Sequence, residues 1–215
     1  MSIRKFYGRL LEQITIESAG AEGNCIARWE GKVVFVKNAV PGDVCDLKVI
    51  GRKKKFLLGE IVKLHTKGSE RVEPFCAHFG SCGGCKWQQM DYQGQLTFKT
   101  QQVKDAFDRI GKLSYDHVPQ ALGSAQTQTY RNKMEYTYSH SRWLTREQLD
   151  HADFIEEPGL GFHVPKRYDK IVHIDKCWLQ DEPSNQIRNY IFNYAIENGL
   201  SFFDIKAQDG FLRTL

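Results

Sequence analysis

Residues 74–91 read Pro-Phe-Cys-Ala-His-Phe-Gly-Ser-Cys-Gly-Gly-Cys-Lys-Trp-Gln-Gln-Met-Asp. They set Cys76, Cys82 and Cys85 in a C-x5-C-x2-C array, and a fourth cysteine, Cys177, follows far downstream in His-Ile-Asp-Lys-Cys-Trp. Three clustered thiols and one returned by the fold make a four-thiolate cage for a soft metal centre, because thiolates select zinc or iron–sulfur iron over hard cations. Gly83 and Gly84 let the backbone curl tightly and turn its N–H groups toward the sulfurs. The remaining two cysteines, Cys25 and Cys45, stand alone among strand-like apolar residues and read as buried structural thiols.

Disulfides are the alternative use of such cysteines. The N-terminus, Met-Ser-Ile-Arg-Lys-Phe-Tyr-Gly-Arg, has no secretory pattern, and 215 residues build a core without covalent staples, so reduced thiols are expected. Between metals, spacing alone leaves zinc and an iron–sulfur cluster both open. Structural zinc sites bring two close ligand pairs together, whereas this chain offers one C-x2-C pair, one cysteine upstream and one remote. Phe75, Phe79, Trp87 and Trp178 around the ligands would form an apolar shell that shields a cluster from water.

Composition is that of an ordinary globular protein, 41% apolar and 26% charged with net charge +4. No apolar run approaches the roughly 18 residues that a membrane span needs. Together with the missing targeting segment this predicts a cytoplasmic protein without a membrane partner, and a monomer is expected. The length and content argue for two domains, residues 1–68 and 69–215.

In residues 1–68, short alternating runs at 10–17, 24–29, 32–36, 44–50 and 56–64 are separated by turn signals at Gly20, Gly23, Glu30-Gly31, Pro41-Gly42 and Gly51. Five strands at that spacing predict an OB-like barrel. Cations outnumber acids there, and Arg52-Lys53-Lys54-Lys55 is placed at a hairpin tip. An isolated charge run is usually a solvated turn; on a nucleic-acid-binding barrel, phosphate contacts are the expectation, and they would position RNA without reading its sequence.

Residues 69–215 predict an α+β domain, so that the whole chain is mostly β with some α. A helix is expected at 92–110, with Tyr92, Leu96, Val103, Phe107 and Ile110 in one stripe, Asp91 as N-cap and Gly111 at its end. From Tyr130 the period changes to two, with Met134, Tyr136 and Tyr138 on one face. Further strands at 160–164 and 170–174 complete an antiparallel sheet, and polar residues 141–157 read as a long hairpin loop. A second helix is expected at 183–198, burying Ile187, Tyr190, Ile191, Tyr194 and Ala195 and stopping at Gly199. Gly159-Leu-Gly161 lacks the strand–turn–helix setting of a nucleotide loop. The histidines show no shared ligand spacing.

The run from Phe75 to Gln88, continued by Asp91-Tyr92, Gln95-Leu96 and Lys99, resembles the iron–sulfur segment of the RNA uracil-5-methyltransferase family, closest to its bacterial 23S ribosomal RNA branch. Ala21-Glu22-Gly23, Gly31 to Val36 and Val40-Pro41-Gly42-Asp43 likewise resemble a TRAM domain, a module associated with RNA binding. The resemblance implies that Cys76, Cys82, Cys85 and Cys177 hold a [4Fe-4S] cluster, with zinc as the alternative. It implies RNA as partner, 23S ribosomal RNA in that branch. It also puts Arg131 and Lys133 on a basic strand that faces RNA, and has helix 92–110 packing on a methyltransferase domain.

Methyl transfer to uracil C5 in that family needs a cysteine nucleophile, an acidic residue that removes the C5 proton and a Rossmann-like domain holding S-adenosylmethionine. Neither that domain nor the two catalytic groups are recognisable in residues 1–215. The chain therefore reads as the N-terminal part of a longer enzyme, inactive alone, with no catalytic residue of its own. The alternative from another class is a non-catalytic RNA-binding protein with a structural four-cysteine metal site. A radical methylthiotransferase, which can also carry a TRAM domain, would need a C-x3-C-x2-C triad that this chain lacks.

Overall fold

The computed structural model describes residues 6–151 and 157–215. The chain divides into two compact units, one of residues 1–75 with 86–123 and one of residues 76–85 with 124–215. Among the described residues no helix is long and apolar enough to cross a membrane.

The first unit is built on a closed barrel of β1 (Leu10–Ala19), β2 (Asn24–Trp29), β3 (Lys32–Lys37), β4 (Val44–Arg52) and β5 (Phe56–Thr66), in the order β1-β2-β3-β5-β4. All five expected strands form. Their alternation puts Leu11, Ile16, Ala27, Val34, Val36, Leu47, Val49 and Leu57 inside, each essentially inaccessible. A bulge at Gln13, whose φ is 53°, lets β1 bend from pairing with β4 to pairing with β2, and a parallel β3–β5 ladder closes the barrel. Closure removes the sheet edges.

Cys25 and Cys45 are core residues, as their setting predicted. Burial pushes their thiols up to about 12 and about 11, and each hydrogen-bonds a carbonyl, of Ala39 and Ile14 respectively. They are inert by the same burial that makes them useful packing.

The loop between β3 and β4 is pinned by Asp43, a carboxylate with no exposed surface. It accepts from the Val40 and Gly68 amides at 2.7 and 3.0 Å and from the Arg71 guanidinium at two nitrogens, 2.8 and 2.5 Å. Arg71 also donates to the Asn38 carbonyl, and Gln89 donates to that of Ala39. The buried charge is thus fully surrounded by donors, the condition under which a carboxylate tolerates removal from water.

Helix α1 (Tyr92–Asp105) belongs to the same unit. Asp91 caps it, accepting from the Gly94 amide at 2.6 Å, as predicted. Gln102 donates to the Gly20 carbonyl at the barrel end. The expected stripe is only partly realised: Leu96 is buried, but Val103 is 44% and Ile110 84% exposed. For Ile110 the reason is a change of winding, since residues 106–111 form a π-turn that rotates its side chain off the α-helical stripe and ends on Lys112 in the left-handed region.

The second unit carries a three-stranded antiparallel sheet of β6 (Thr137–Ser139), β7 (Gly159–His163) and β8 (Ile171–His173), in that order. Gly161 is a glycine for a steric reason, because a Cβ there would meet the Val172 carbonyl at 2.0 Å. The strand expected from Tyr130 is laddered only over its last three residues. Its alternation holds, with Tyr136 and Tyr138 both 3% exposed, but the preceding backbone finds other partners. Thr129 and Arg131 donate to the Trp178 and Leu179 carbonyls, while Tyr136 and Leu215 exchange hydrogen bonds. The polar stretch 141–157 includes a short helix, α2 (Arg146–His151); residues 152–156 lie outside the described residues.

Helix α3 (Glu182–Glu197) starts on Asp181, which accepts from the Glu182 amide, and is followed by Gly199 at φ +63°. Its buried face differs from the expected one. Asn185, Arg188 and Ala195 are buried, whereas Ile187 is 57%, Tyr190 71% and Tyr194 50% exposed. A polar face turns inward because its hydrogen bonds are met there, by the peptides of Asp175 and Cys177.

Replacing Asp43 with Ala removes four hydrogen bonds at once and strands the Arg71 guanidinium, so a loss of about 3–5 kcal/mol is expected. Urea unfolding of Asp43→Ala against wild type measures it, and a change under about 1 kcal/mol would contradict the role of this carboxylate.

Candidate functional site

The cysteine loop is a series of tight turns. The Phe79 amide donates to the Cys76 carbonyl, that of Cys82 to the His78 carbonyl, and that of Gly84 to the Cys82 sulfur at 3.3 Å. Gly83 donates to the His163 carbonyl at the end of β7. A Cβ on Gly83 would lie 2.7 Å from that carbonyl oxygen, so only glycine permits this approach of loop to strand.

Cys177 follows β8 in the turn 175–178 and is 7% exposed. Asn185 of α3 brackets its backbone: the Asn185 Oδ1 accepts from the Cys177 amide at 2.8 Å and the Nδ2 donates to the Cys177 carbonyl at 3.1 Å. Arg188 and Asn189 both donate to the Asp175 carbonyl, at 2.6 and 3.0 Å. His78 of the cysteine loop accepts the Asp175 amide at Nε2, 3.2 Å. Burial, reinforced by the nearby Arg188 and opposed by the Asp175 carboxylate, holds the His78 imidazole below its usual pKa and suits it to that acceptor role. Sequence reasoning assigned His78 no chemistry; a lone histidine gives no signal that it will join two remote turns.

The four predicted ligands therefore lie within one unit. Cys82 and Cys85 pack against the cluster of Val172, Ile174, Cys177 and Leu179, with Met134, Trp143, Phe162 and Val164 beside it. Burial is the main cause that raises the Cys76 and Cys82 thiols, the latter to about 11, and backbone N–H groups oppose it, those of His78 and Phe79 at Cys76 and of Gly84 at Cys82. Negative charge on Cys85 and Cys177 acts on both, so the four sulfurs are within electrostatic reach of one another. None of the six cysteines is in a disulfide. The aliphatic and aromatic shell comes mainly from the sheet, and Phe75, expected in it, is 45% exposed.

Among the described residues no group of three or more His, Cys, Asp or Glu side chains is gathered at the spacing of a site for one ion. The donor set fits a soft metal: thiols only, an apolar wall, and amides aimed at sulfur.

The basic candidates occupy two places. Arg52 ends β4, and Lys53, Lys54 and Lys55 are exposed in the β4–β5 turn, which the Lys53 amide closes on the Phe56 carbonyl at 2.9 Å. Arg52 lies 5.2 Å over the Phe6 ring; Arg9 lies 4.4 Å over Trp29, and Lys32 reaches both rings. Arg9 and Lys32 were missed in the sequence, because only the folded barrel brings three separated cations to one aromatic pair. Arg131 and Lys133 are exposed on the second unit.

A TRAM domain model matches residues 11–62, the span of the barrel. The chain is 45% identical over 196 residues to an uncharacterised RNA methyltransferase of Bacteroides thetaiotaomicron, covering 91% of this chain and 43% of that protein. Against one from Porphyromonas gingivalis the identity is 42% over 206 residues, covering 93% and 44%. The chain thus spans less than half the length of these curated relatives. Among solved structures, the Pyrococcus abyssi tRNA (uracil-54, C5)-methyltransferase, in complex with S-adenosyl-L-homocysteine, superposes with a TM-score of 0.59 at 24% identity over 94% of this chain and 41% of its own. That likeness concerns the fold.

Gly83→Ala should push the cysteine loop off β7, costing about 1–3 kcal/mol by overpacking. The expected outcome is a lower melting temperature with reduced metal per chain; full metal content at wild-type stability would show that the loop tolerates displacement. The chain carries a TRAM domain and, along more than nine-tenths of its length, is 42–45% identical to part of curated proteins named as RNA methyltransferases.

Proposed function

We propose that this chain is the RNA-recognition and iron–sulfur part of an S-adenosylmethionine-dependent RNA (uracil-C5) methyltransferase of the cytoplasm, acting on 23S ribosomal RNA. The observation that carries the reading is the convergence of Cys76, Cys82, Cys85 and Cys177 in one unit, against an apolar wall and with the fourth thiol bracketed by Asn185. The resemblance of the cysteine run to the uracil-5-methyltransferases supports the cluster and the base, and the relatives' names support RNA methylation.

In this reading Cys76, Cys82, Cys85 and Cys177 hold a [4Fe-4S] cluster, which supplies a clip between the cysteine loop and the turn after β8. Closing so long a loop converts binding energy into folding energy. Lys53, Lys54 and Lys55, with Arg52, neutralise RNA phosphates and set the position of the barrel on the substrate, and Arg131 and Lys133 do the same from the second unit. The target base must leave its stack to be methylated, and these contacts hold the flanking RNA while it does so. The nucleophile, the base that removes the C5 proton and the methyl-donor site belong to sequence beyond residues 1–215, for which relatives more than twice as long leave room; the chain alone is inactive.

Anaerobic purification followed by iron, sulfide and zinc analysis with an absorption spectrum tests the centre. Iron and acid-labile sulfide in a one-to-one ratio, about four of each per chain, with visible charge-transfer absorption are expected, and stoichiometric zinc without sulfide would replace the cluster by a zinc site.

For the RNA-facing turn, replacing Arg52, Lys53, Lys54 and Lys55 together by Ala should weaken binding of a 23S ribosomal RNA fragment. The slope of log affinity against log salt should fall by about 0.7–0.9 for each phosphate that the variant no longer neutralises. A slope equal to wild type would remove this turn from the interface.

A further inference from the structure

We infer that Arg188 is the counter-cation of the four-cysteine centre, held in α3 beside the turn that carries Cys177 so that its positive charge acts on the centre. The inference rests on the proposed metal centre and concerns residues to which neither the cysteine pattern nor the resemblance draws attention.

Arg188 is 1% exposed, the largest fully buried side chain among the described residues. Its hydrogen bonds run to neutral oxygens: Asn185 Oδ1 at 2.9 Å, Asn189 Oδ1 at 3.1 Å, the Asp175 carbonyl at 2.6 Å and the Tyr136 hydroxyl at 3.3 Å. Its carbon Cζ stands 4.9 Å over the Tyr136 ring, and its Nε has no partner among the described residues. The nearby carboxylates serve elsewhere. Glu182 binds Lys176 at 2.8 Å, and that of Asp175, with its side chain 80% exposed, faces His78 and His173.

A guanidinium is always charged, and an arginine is almost never fully buried unless paired with an anion. Neutral oxygens satisfy its N–H groups but do not cancel its charge, whose transfer from water is costly without a compensating anion. The anion is at hand. The Tyr136 hydroxyl accepts from Arg188. Asn185, which also accepts from Arg188, holds the backbone of Cys177. Four thiolates bring more negative charge than their metal cancels, so the loaded centre carries the anion that Arg188 lacks. A cation at this position favours the more negative, reduced state of a cluster.

The test is the midpoint potential of the anaerobically purified protein, titrated with dithionite and followed by the electron paramagnetic resonance of the reduced cluster. Arg188→Met should make reduction at least tenfold less favourable, 59 mV more negative for a one-electron couple. Arg188→Lys should stay within threefold of wild type. A wild-type potential in an Arg188→Met protein with intact iron and sulfide overturns the inference. If Arg188→Met assembles no centre, Arg188→Lys decides: a loaded centre supports charge as the requirement, and an empty one shows that guanidinium geometry alone is needed, which overturns it. Zinc in the wild-type protein would sink the cluster but not the charge argument, which is then read as faster chelator-driven zinc loss from Arg188→Met than from Arg188→Lys; equal rates overturn it. A wild-type protein that binds neither metal overturns both.

Discussion

The amide of Asn185 uses both of its ends on a single residue, accepting the N–H of Cys177 and donating to its carbonyl, and Arg188 one turn later holds the carbonyl of Asp175. These bonds decide which way α3 faces. A helix normally turns its apolar stripe to the core, but here the core offers a bare turn with unmet backbone groups, and a buried unmet group costs more than an exposed tyrosine. The polar face therefore goes in, and Tyr190 and Tyr194 stack on each other outside. The position of Cys177, and with it the closure of the cysteine set, follows from that choice.

The barrel solves a comparable problem with a charge. Asp43 stands where the chain leaves β3 and must turn back into β4, and one carboxylate collects the amides and the guanidinium that the loop leaves open. Both units thus rely on a polar group placed where regular structure stops. In each case the group is sealed from water, so that its bonds have no competition from solvent.

Much of the barrel was legible because its signal is local: alternation in Leu10–Ala19 or Val44–Arg52 names the inner face without reference to any other segment, and Gly-containing turns set the strand ends. The helix cap Asp91 was legible for the same reason. Where a backbone segment finds partners far away, the sequence falls silent. Residues 129–136 alternate like a strand, yet they bond to residues 178–179 and to Leu215, and nothing near them announces this. The α3 face was misjudged because residue type favours Ile187 and Tyr190 for burial, whereas the deciding partners are the peptides of Asp175 and Cys177. The four thiols were singled out by type and crowding, while the residues that fix the backbone around them, Gly83, His78 and Asn185, are ordinary in composition and acquire meaning only in the folded chain.

The distance along the chain between the cysteine loop and α3 also sets an order of events during synthesis. Cys76, Cys82 and Cys85 emerge from the ribosome long before the fourth thiol, and the fourth has no fixed place until the helix carrying Asn185 and Arg188 has emerged as well. Domains fold as units once their sequence is out. The barrel strands, complete by Thr66, can close while the later segment is still being made. A nascent chain therefore passes through a stage with a closed barrel and three sulfhydryls whose fourth companion has as yet no fixed place.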